Sequence, residues 1–186
     1  MTADEVFVST SNGHIVVFPR NGTGDVPPAR DIGGPLSLLS GDLIGLTVVN
    51  GEIYVANPAA GSISVFPVNA TGNVAPTRRL VGALTALSQP KGVRIKGTEM
   101  FVANNNSITV YPADATGNIA PTRTITTTAT YPGMLEILGD ELFIAAYSPQ
   151  TSVFVYPITG SGAVTPTRTI AGALTKLTGP LGVTVF

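Results

Sequence analysis

The chain has 186 residues, of which 44% are hydrophobic and 11% charged, and its ten basic and eleven acidic residues nearly cancel. This composition predicts one folded domain over residues 1–186 and excludes an intrinsically disordered chain. The near-zero charge, without a cluster of Lys and Arg, argues against nucleic acid as a partner, and apolar runs far shorter than about 20 residues argue against membrane insertion.

One sequence unit recurs four times along the chain. Its clearest copies, residues 62–78 and 107–123, are identical at 12 of 17 positions, and weaker copies cover residues 14–30 and 152–168. The prolines that mark the copies lie 48, 45 and 45 residues apart, at Pro19, Pro67, Pro112 and Pro157. Repeats of this length are stable only when they stack on one another, so the pattern predicts an array of repeated structural units.

Each unit is predicted to contain four short β-strands in the same order. In the second unit they fall at residues 45–49, 52–57, the segment ending at Pro67, and residues 76–80. Turn residues and a Gly-rich connection separate them, and the proline that closes the third strand cannot donate to a ladder, so pairing ends there. No stretch shows the 3.6-residue apolar period of a helix, which predicts an all-β fold.

The strands are apolar on both faces, and this selects the architecture. In residues 53–56, Ile and Val point to one side, and Tyr and Ala to the other. A sheet of this kind must be covered on both sides, and radial packing of blade against blade provides that cover. We therefore predict a β-propeller of four four-stranded blades, with eight of the twelve aromatic residues in the core between blades.

Three segments of the third unit resemble the blade signature of NHL and YVTN-type β-propeller repeats. They are residues 90–93 (Pro-Lys-Gly-Val), 99–104 (Glu-Met-Phe-Val-Ala-Asn) and 107–111 (Ser-Ile-Thr-Val-Tyr). The resemblance covers the whole chain and implies a propeller fold. Those families commonly use six or seven blades, whereas this chain has four units and a longer outer connection.

The two ends of the chain are complementary. The blades are predicted at residues 43–81, 90–126 and 132–171, with the remaining blade built from residues 182–186 together with 1–33, because the C-terminal segment supplies the innermost strand that the N-terminal unit lacks. Pairing of these strands would remove the exposed edges. It can occur within one chain, giving four blades, or between two chains, giving an eight-bladed homodimer. The homodimer is favoured because about 45° per blade is nearer than about 90° to the roughly 60° that an NHL-like blade suits. A piece of a longer propeller is a third possibility.

Candidates for chemistry are few. Cysteine is absent, and no nucleophile elbow, phosphate loop or His-Glu-x-x-His motif occurs, so no catalytic residue, metal site or cofactor is predicted. The single histidine, His14, is expected in a surface turn, and Glu5, Glu52, Glu99 and Glu141 are expected to keep loop tips hydrated. The repeated Arg30, Arg78, Arg123 and Arg168 are expected to cover apolar surface and pair locally. Residues that interrupt the repeat near the mouth of the channel are the candidate ligand-binding residues: Asn57, Gln89, Lys91, Asn104 and Tyr131.

These observations predict a non-catalytic binding or assembly module that recognises a protein or a glycan through a loop face. The alternatives are a metal-dependent enzyme similar to lactonases or sugar-acid hydrolases, and a propeller segment or engineered repeat unit without a separate role. A surface rich in Thr, Gly, Ser and Asn suggests a secreted or periplasmic bacterial protein, although residues 1–4 carry no signal-peptide pattern.

Overall fold

A computed structural model describes residues 4–127, 132–147 and 151–186. It confirms the all-β prediction: four small antiparallel sheets are arranged as a four-bladed β-propeller. Within the described residues, the helical elements are single 3-10 turns at Pro35–Ser37, Ala83–Thr85 and Ala173–Thr175, and none is long or apolar enough to cross a membrane.

The strands follow the repeat. The first blade contains β1 (Glu5–Ser9), β2 (Ile15–Pro19) and β3 (Arg30–Ile32), and the second contains β4 (Leu46–Val49), β5 (Glu52–Asn57), β6 (Ser62–Pro67) and β7 (Arg78–Val81). The third contains β8 (Gly92–Lys96), β9 (Glu99–Ala103), β10 (Ser107–Pro112) and β11 (Arg123–Thr126). The fourth contains β12 (Pro132–Leu138), β13 (Glu141–Ala146), β14 (Ser152–Pro157) and, after the short strand β15 (Gly162–Ala163), β16 (Arg168–Ile170).

Three apolar clusters hold the four blades together. The cluster between the first and second blades includes Ile15, Ile32 and Phe66, and the cluster between the second and third includes Tyr54 and Tyr111. A third cluster joins the third and fourth blades around Phe101, Ile125 and Tyr156. The predicted position of these aromatic residues between blades is therefore confirmed, and among the described residues no cluster joins the fourth blade to the first.

The Gly-rich outer connection makes a contact that the sequence did not predict. In each blade after the first, a glycine of this connection pairs in parallel with the outer strand of the preceding blade: Gly72 with Ile32, Gly117 with Leu80 and Gly162 with Ile125. Each glycine has a positive φ of 72 to 76°, a conformation that glycine adopts without a steric penalty. The blades are thus joined by backbone hydrogen bonds as well as by apolar packing.

The first blade has three strands in the structure, whereas four were predicted for every blade. Residues 182–186 form no strand, and β1 pairs with β2 alone. The sequence assigned the missing inner strand to the opposite end of the chain, and among the described residues, 182–186 do not pair with β1. Closure of the ring therefore stays a prediction.

Candidate functional site

Four of the five predicted ligand-binding residues lie on one side of the propeller. We call this side the upper loop face; it carries the C-terminal ends of β5 and β9, the 3-10 turns and the loops that enter the innermost strands. Tyr131 lies outside the described residues. The opposite side, which carries the turns between the first and second strands of each blade, we call the lower face.

Asn57 and Asn104 are fully buried and bonded to the scaffold. Nδ2 of Asn57 donates to the carbonyl of Leu38 at 3.1 Å. Asn104 donates to Thr109 Oγ1 at 2.9 Å and accepts from the backbone N–H of Ser88 at 3.0 Å. Both side chains tie a strand end to the loop that leads into the same blade, and a ligand-binding role for them stays a prediction.

Gln89 and Lys91 lie in the loop that enters β8. Gln89 is exposed, and its side-chain oxygen accepts from Asn105 Nδ2 at 3.1 Å. Burial lowers the pKa of Lys91. Gln89 is exposed and Lys91 is partly accessible, and a ligand-binding role for them stays a prediction.

The upper loop face also presents leucines at equivalent positions of three blades. Leu36, Leu84 and Leu174 lie in the three 3-10 turns and are exposed. The sequence analysis did not single them out, although the shared Leu-Ser or Leu-Thr pair in these loops is visible in the repeat. Exposed leucines that recur on one face of a folded domain are candidates for contact with another protein.

A charged cluster recurs in every blade, and in three of them it joins neighbouring blades. In the second blade, Arg78 donates from Nη2 to Glu52 Oε2 at 2.6 Å, and its guanidinium lies 5.4 Å from the centroid of the Tyr54 ring. Its Nη1 donates to the carbonyl oxygen of Ala113 in the third blade at 3.0 Å. We call this arrangement the arginine clamp. Local pairing of the arginine was predicted; the bond to the next blade was not.

The clamps of the first and third blades each reach two carbonyl oxygens in the blade that follows. Arg30 donates to Val68 and Ala70 at 2.6 and 3.1 Å, and Arg123 donates to Ile158 and Gly160 at 2.7 and 3.1 Å. The acidic partners are Glu5 and Glu99. The expectation that these glutamates only keep loop tips hydrated is therefore wrong: they hold the arginines that connect the blades.

The clamp fixes the charge of its members. Burial raises the pKa of Glu52, but hydrogen bonds from Arg78 and Tyr54 and the Arg78 charge outweigh it, so the pKa lies below its ordinary value of 4.5. Burial raises the pKa of Tyr54. Burial lowers the pKa of Arg78, but its bonds to Glu52 and Tyr54 raise it more. The pair is ionised at neutral pH, as a charge-assisted bond requires.

The fourth blade carries a clamp without a following blade. Arg168 donates to Glu141 at 2.7 Å and lies over the Phe143 ring at 5.8 Å. Its side chain is 57% exposed, against 17 to 20% for the three arginines that reach a next blade. Ile170 is 52% exposed, whereas its equivalents Ile32, Leu80 and Ile125 are at most 1% exposed.

The first blade is open on the other side. Val6 and Val8 of β1 are 44% and 40% exposed. Their equivalents in the second strands of the other blades are fully buried, because they belong to the clusters formed with the preceding blade. These equivalents are Ile53 and Val55, Met100 and Val102, Leu142 and Ile144. The propeller therefore ends in two uncovered surfaces, one on the fourth blade and one on the first.

Two further ion pairs lie outside the clamps in the part of the chain that the structure describes. His14 is at the blade surface, where Nδ1 lies 2.7 Å from Asp31 Oδ1. Arg94 of β8 bonds Glu136 of β12 at 3.2 Å and so connects two innermost strands. Among the described residues, no three His, Asp or Glu side chains come together as a metal site would require.

Two surface depressions lie on the lower face. One of about 510 Å³ lies beside Glu99 and Asp114 of the third blade, and one of about 530 Å³ lies beside Asp4 and Asn21 of the first. They occupy equivalent places in their blades, so they follow from the blade shape. Comparison of the chain with protein-family models gave no match, and comparison with curated proteins found no relative.

Proposed function

We propose that this chain is a non-catalytic assembly module whose terminal blades are completed by strand pairing, with residues 182–186 adding to β1 as the missing innermost strand. The observation that carries the proposal is the free edge of β1, which pairs with β2 alone, whereas the second strand of each other blade also pairs with an innermost strand. Val6 and Val8 of β1 are exposed. An uncovered strand edge with apolar side chains is a template for pairing.

The repeat supplies the register of this pairing. Val8 aligns with Val55, Val102 and Ile144, which lie opposite Leu46, Val93 and Leu135 of the innermost strands. Val183 aligns with those three residues in the last unit. We therefore expect Val183 opposite Val8 and Val185 opposite Val6, so that four valines form the buried layer.

The contacts of Leu181 support the proposed completion. Lys91, just before β8, lies with its carbonyl against Gly45 of the second blade, and Leu181 lies with its carbonyl against Gly133 of the fourth. Leu181 O also accepts from the backbone N–H of Met134 at 2.8 Å. Residues 182–186 therefore begin at the same place relative to the fourth blade as β8 does relative to the second blade.

A disulfide tests the register, since the chain has no cysteine of its own. In the variant carrying Val8→Cys and Val183→Cys, the two sulfurs meet if the strands pair, and oxidation consumes both thiols. The matched control carries Val8→Cys and Thr184→Cys, because neighbouring strand residues point to opposite faces. Equal thiol loss in the two variants, or none in the first, would reject strand completion.

The loop face supports a second candidate function, recognition of another protein. Leu36, Leu84 and Leu174 offer apolar contact at equivalent places, which suits a protein partner better than a glycan. Retention on a hydrophobic column gives a first test: replacing the three leucines by serine should reduce it, whereas replacing the exposed Ile119 and Leu138 of other surfaces should change it less. Equal reduction by both sets of substitutions would remove the support for a protein-binding face.

We further infer that the blades are of the NHL or YVTN type and that the chain works outside the cytoplasm. The strand order within each blade and the segments at residues 90–93 and 99–104 support the first inference. The charge-poor surface rich in Thr, Ser and Asn supports the second. Fractionation of cells that express the natural gene tests the location, and recovery in the cytoplasm alone would reject it.

A further inference from the structure

We infer that the uncovered surfaces of the first and fourth blades bind each other across two copies of this chain, which gives an eight-bladed ring with two-fold symmetry. This inference rests on the proposed strand completion and names its partner. The three interfaces between blades inside the chain serve as the template, because each feature that recurs in them has one half on the fourth blade and the other half on the first.

The first feature is the parallel backbone pairing of the outer connection. Gly72, Gly117 and Gly162 pair with the outer strand of the preceding blade. Gly24 holds the same place in the first blade and already has the same conformation, with φ of 70°. On the fourth blade the aligned position of the outer strand is Ile170, which is exposed. We therefore expect Gly24 of one copy to pair with Ile170 of the other.

The second feature is the arginine clamp. Arg30, Arg78 and Arg123 each donate to carbonyl oxygens that follow the third strand of the next blade. In the first blade the aligned carbonyls belong to Arg20 and Gly22. Arg168 contacts Glu141 and Phe143, but within the described residues it has no carbonyl acceptor in a following blade. In the ring, the first blade of the other copy would supply this acceptor.

The third feature is the bond between a 3-10 turn and the next blade. The backbone N–H of Leu36 donates to Asn73 Oδ1 at 2.7 Å, and that of Leu84 donates to Asn118 Oδ1 at 2.8 Å. In the first blade, Asp25 aligns with the two asparagines. In the last 3-10 turn, Leu174 aligns with the two leucines. A carboxylate oxygen accepts this bond as the amide oxygen does.

The number of copies follows from the closed shape. Propellers have typically about four to eight blades. One copy does not bring its own ends together, since Val6, Val8 and Ile170 stay exposed. Two copies make eight blades and two identical interfaces, which leave no open edge, whereas three copies exceed the usual range. A closed two-fold ring is also the commonest form of homo-oligomer.

Co-expression of two singly substituted chains with different affinity tags distinguishes pairing within a chain from pairing between chains. One chain carries Val8→Cys and the other Val183→Cys. We expect a disulfide between the two tagged chains and a native mass twice the 19.0 kDa of one chain. A mass above two chains would overturn the ring.

The doubly substituted chain separates the two proposals. If the singly substituted chains do not cross-link but the chain with both cysteines forms an internal disulfide at the mass of one chain, closure occurs within the chain: strand completion stands and the two-copy ring is overturned. If neither sample forms the disulfide, both proposals fail. Cross-linking between chains at the mass of two copies supports both.

Surface substitutions test the outer part of the interface. Ile170→Lys places a charge where the template buries a leucine or isoleucine, so we expect the mass to fall to one chain with an unchanged far-ultraviolet circular dichroism spectrum. Leu138→Lys is the matched control, because Leu138 is 47% exposed and aligns with Lys96 of the third blade. This substitution should leave the mass at two chains. Arg168→Ala should raise the dissociation constant at least about tenfold, and Lys96→Ala should leave it unchanged. If Ile170→Lys leaves the two-copy mass unchanged, this interface is wrong.

Discussion

Arg78 links two blades through one guanidinium: Nη2 bonds Glu52 in its own blade at 2.6 Å and Nη1 bonds the carbonyl oxygen of Ala113 in the next at 3.0 Å. The glutamate orients the arginine, and the arginine satisfies a backbone acceptor that lies between strands. This single side chain therefore couples the ionisation of a carboxylate to the packing of neighbouring blades.

We predict that Arg78→Ala lowers the free energy of unfolding by about 2 kcal/mol, because it removes the charged donor from both Glu52 and the Ala113 carbonyl. Lys96→Ala, which removes an exposed cation of the same sign, should change it by less than about 0.5 kcal/mol. Urea unfolding at one protein concentration measures both. A similar loss in the two variants would mean that net charge, and not the clamp, is responsible.

The clamp also predicts a dependence on pH. Because the pKa of Glu52 is lower in the folded chain, its ionised form contributes stability that is complete above the unfolded pKa and is lost as the pH falls through the folded one. Glu52→Gln should therefore weaken the acid dependence of the urea midpoint below about pH 4.5. Tyr54→Phe, which removes one of the two donors to Glu52, should give an intermediate slope. An unchanged slope in Glu52→Gln would contradict this origin.

The architecture was predictable because its determinants are local and repeated. Ile53 and Val55 alternate with Tyr54 and Ala56 in a way that a strand buried on both faces requires, and the closing prolines mark where pairing stops. The strand predicted over residues 52–57 is β5 as the structure has it. Four copies of one pattern reduce the ambiguity that a single short strand would leave.

The contacts between blades were less predictable. The repeated Arg78 and Glu52 indicated a local pair, but the acceptor of the second Arg78 bond is a backbone carbonyl, which every residue has, so side-chain identity does not reveal it. Asn57 and Asn104 were expected to be ligand-binding residues because they end second strands near the mouth of the channel. The structure buries both, since each satisfies backbone groups where one blade passes to the next.

Tyr111 gives a prediction at alkaline pH. Its hydroxyl donates to the carbonyl oxygen of Thr85, and burial raises its pKa to about 12. The folded chain therefore keeps a proton that the unfolded chain releases near pH 10, so stability that is complete below about pH 10 is lost as the pH rises toward 12. Tyr111→Phe should remove this loss and lower the free energy of unfolding at neutral pH by about 1 kcal/mol. Ultraviolet absorbance and urea unfolding across this range measure the two effects, and an unchanged alkaline loss in the variant would assign it to another group.

Substitution of Asn104 tests whether this residue serves the scaffold or binds a ligand. Its side chain is fully buried, accepts from Ser88 N and donates to Thr109 Oγ1. Asn104→Ala therefore leaves these two groups without their hydrogen-bond partner at a site that water does not reach. We expect a loss of about 2 to 3 kcal/mol in the free energy of unfolding, whereas Asn106→Ala, two residues away and exposed, should change it by less than about 0.5 kcal/mol. Thermal or urea unfolding measures the difference. A stable Asn104→Ala chain would contradict the scaffold role and return Asn104 to the candidates for ligand contact.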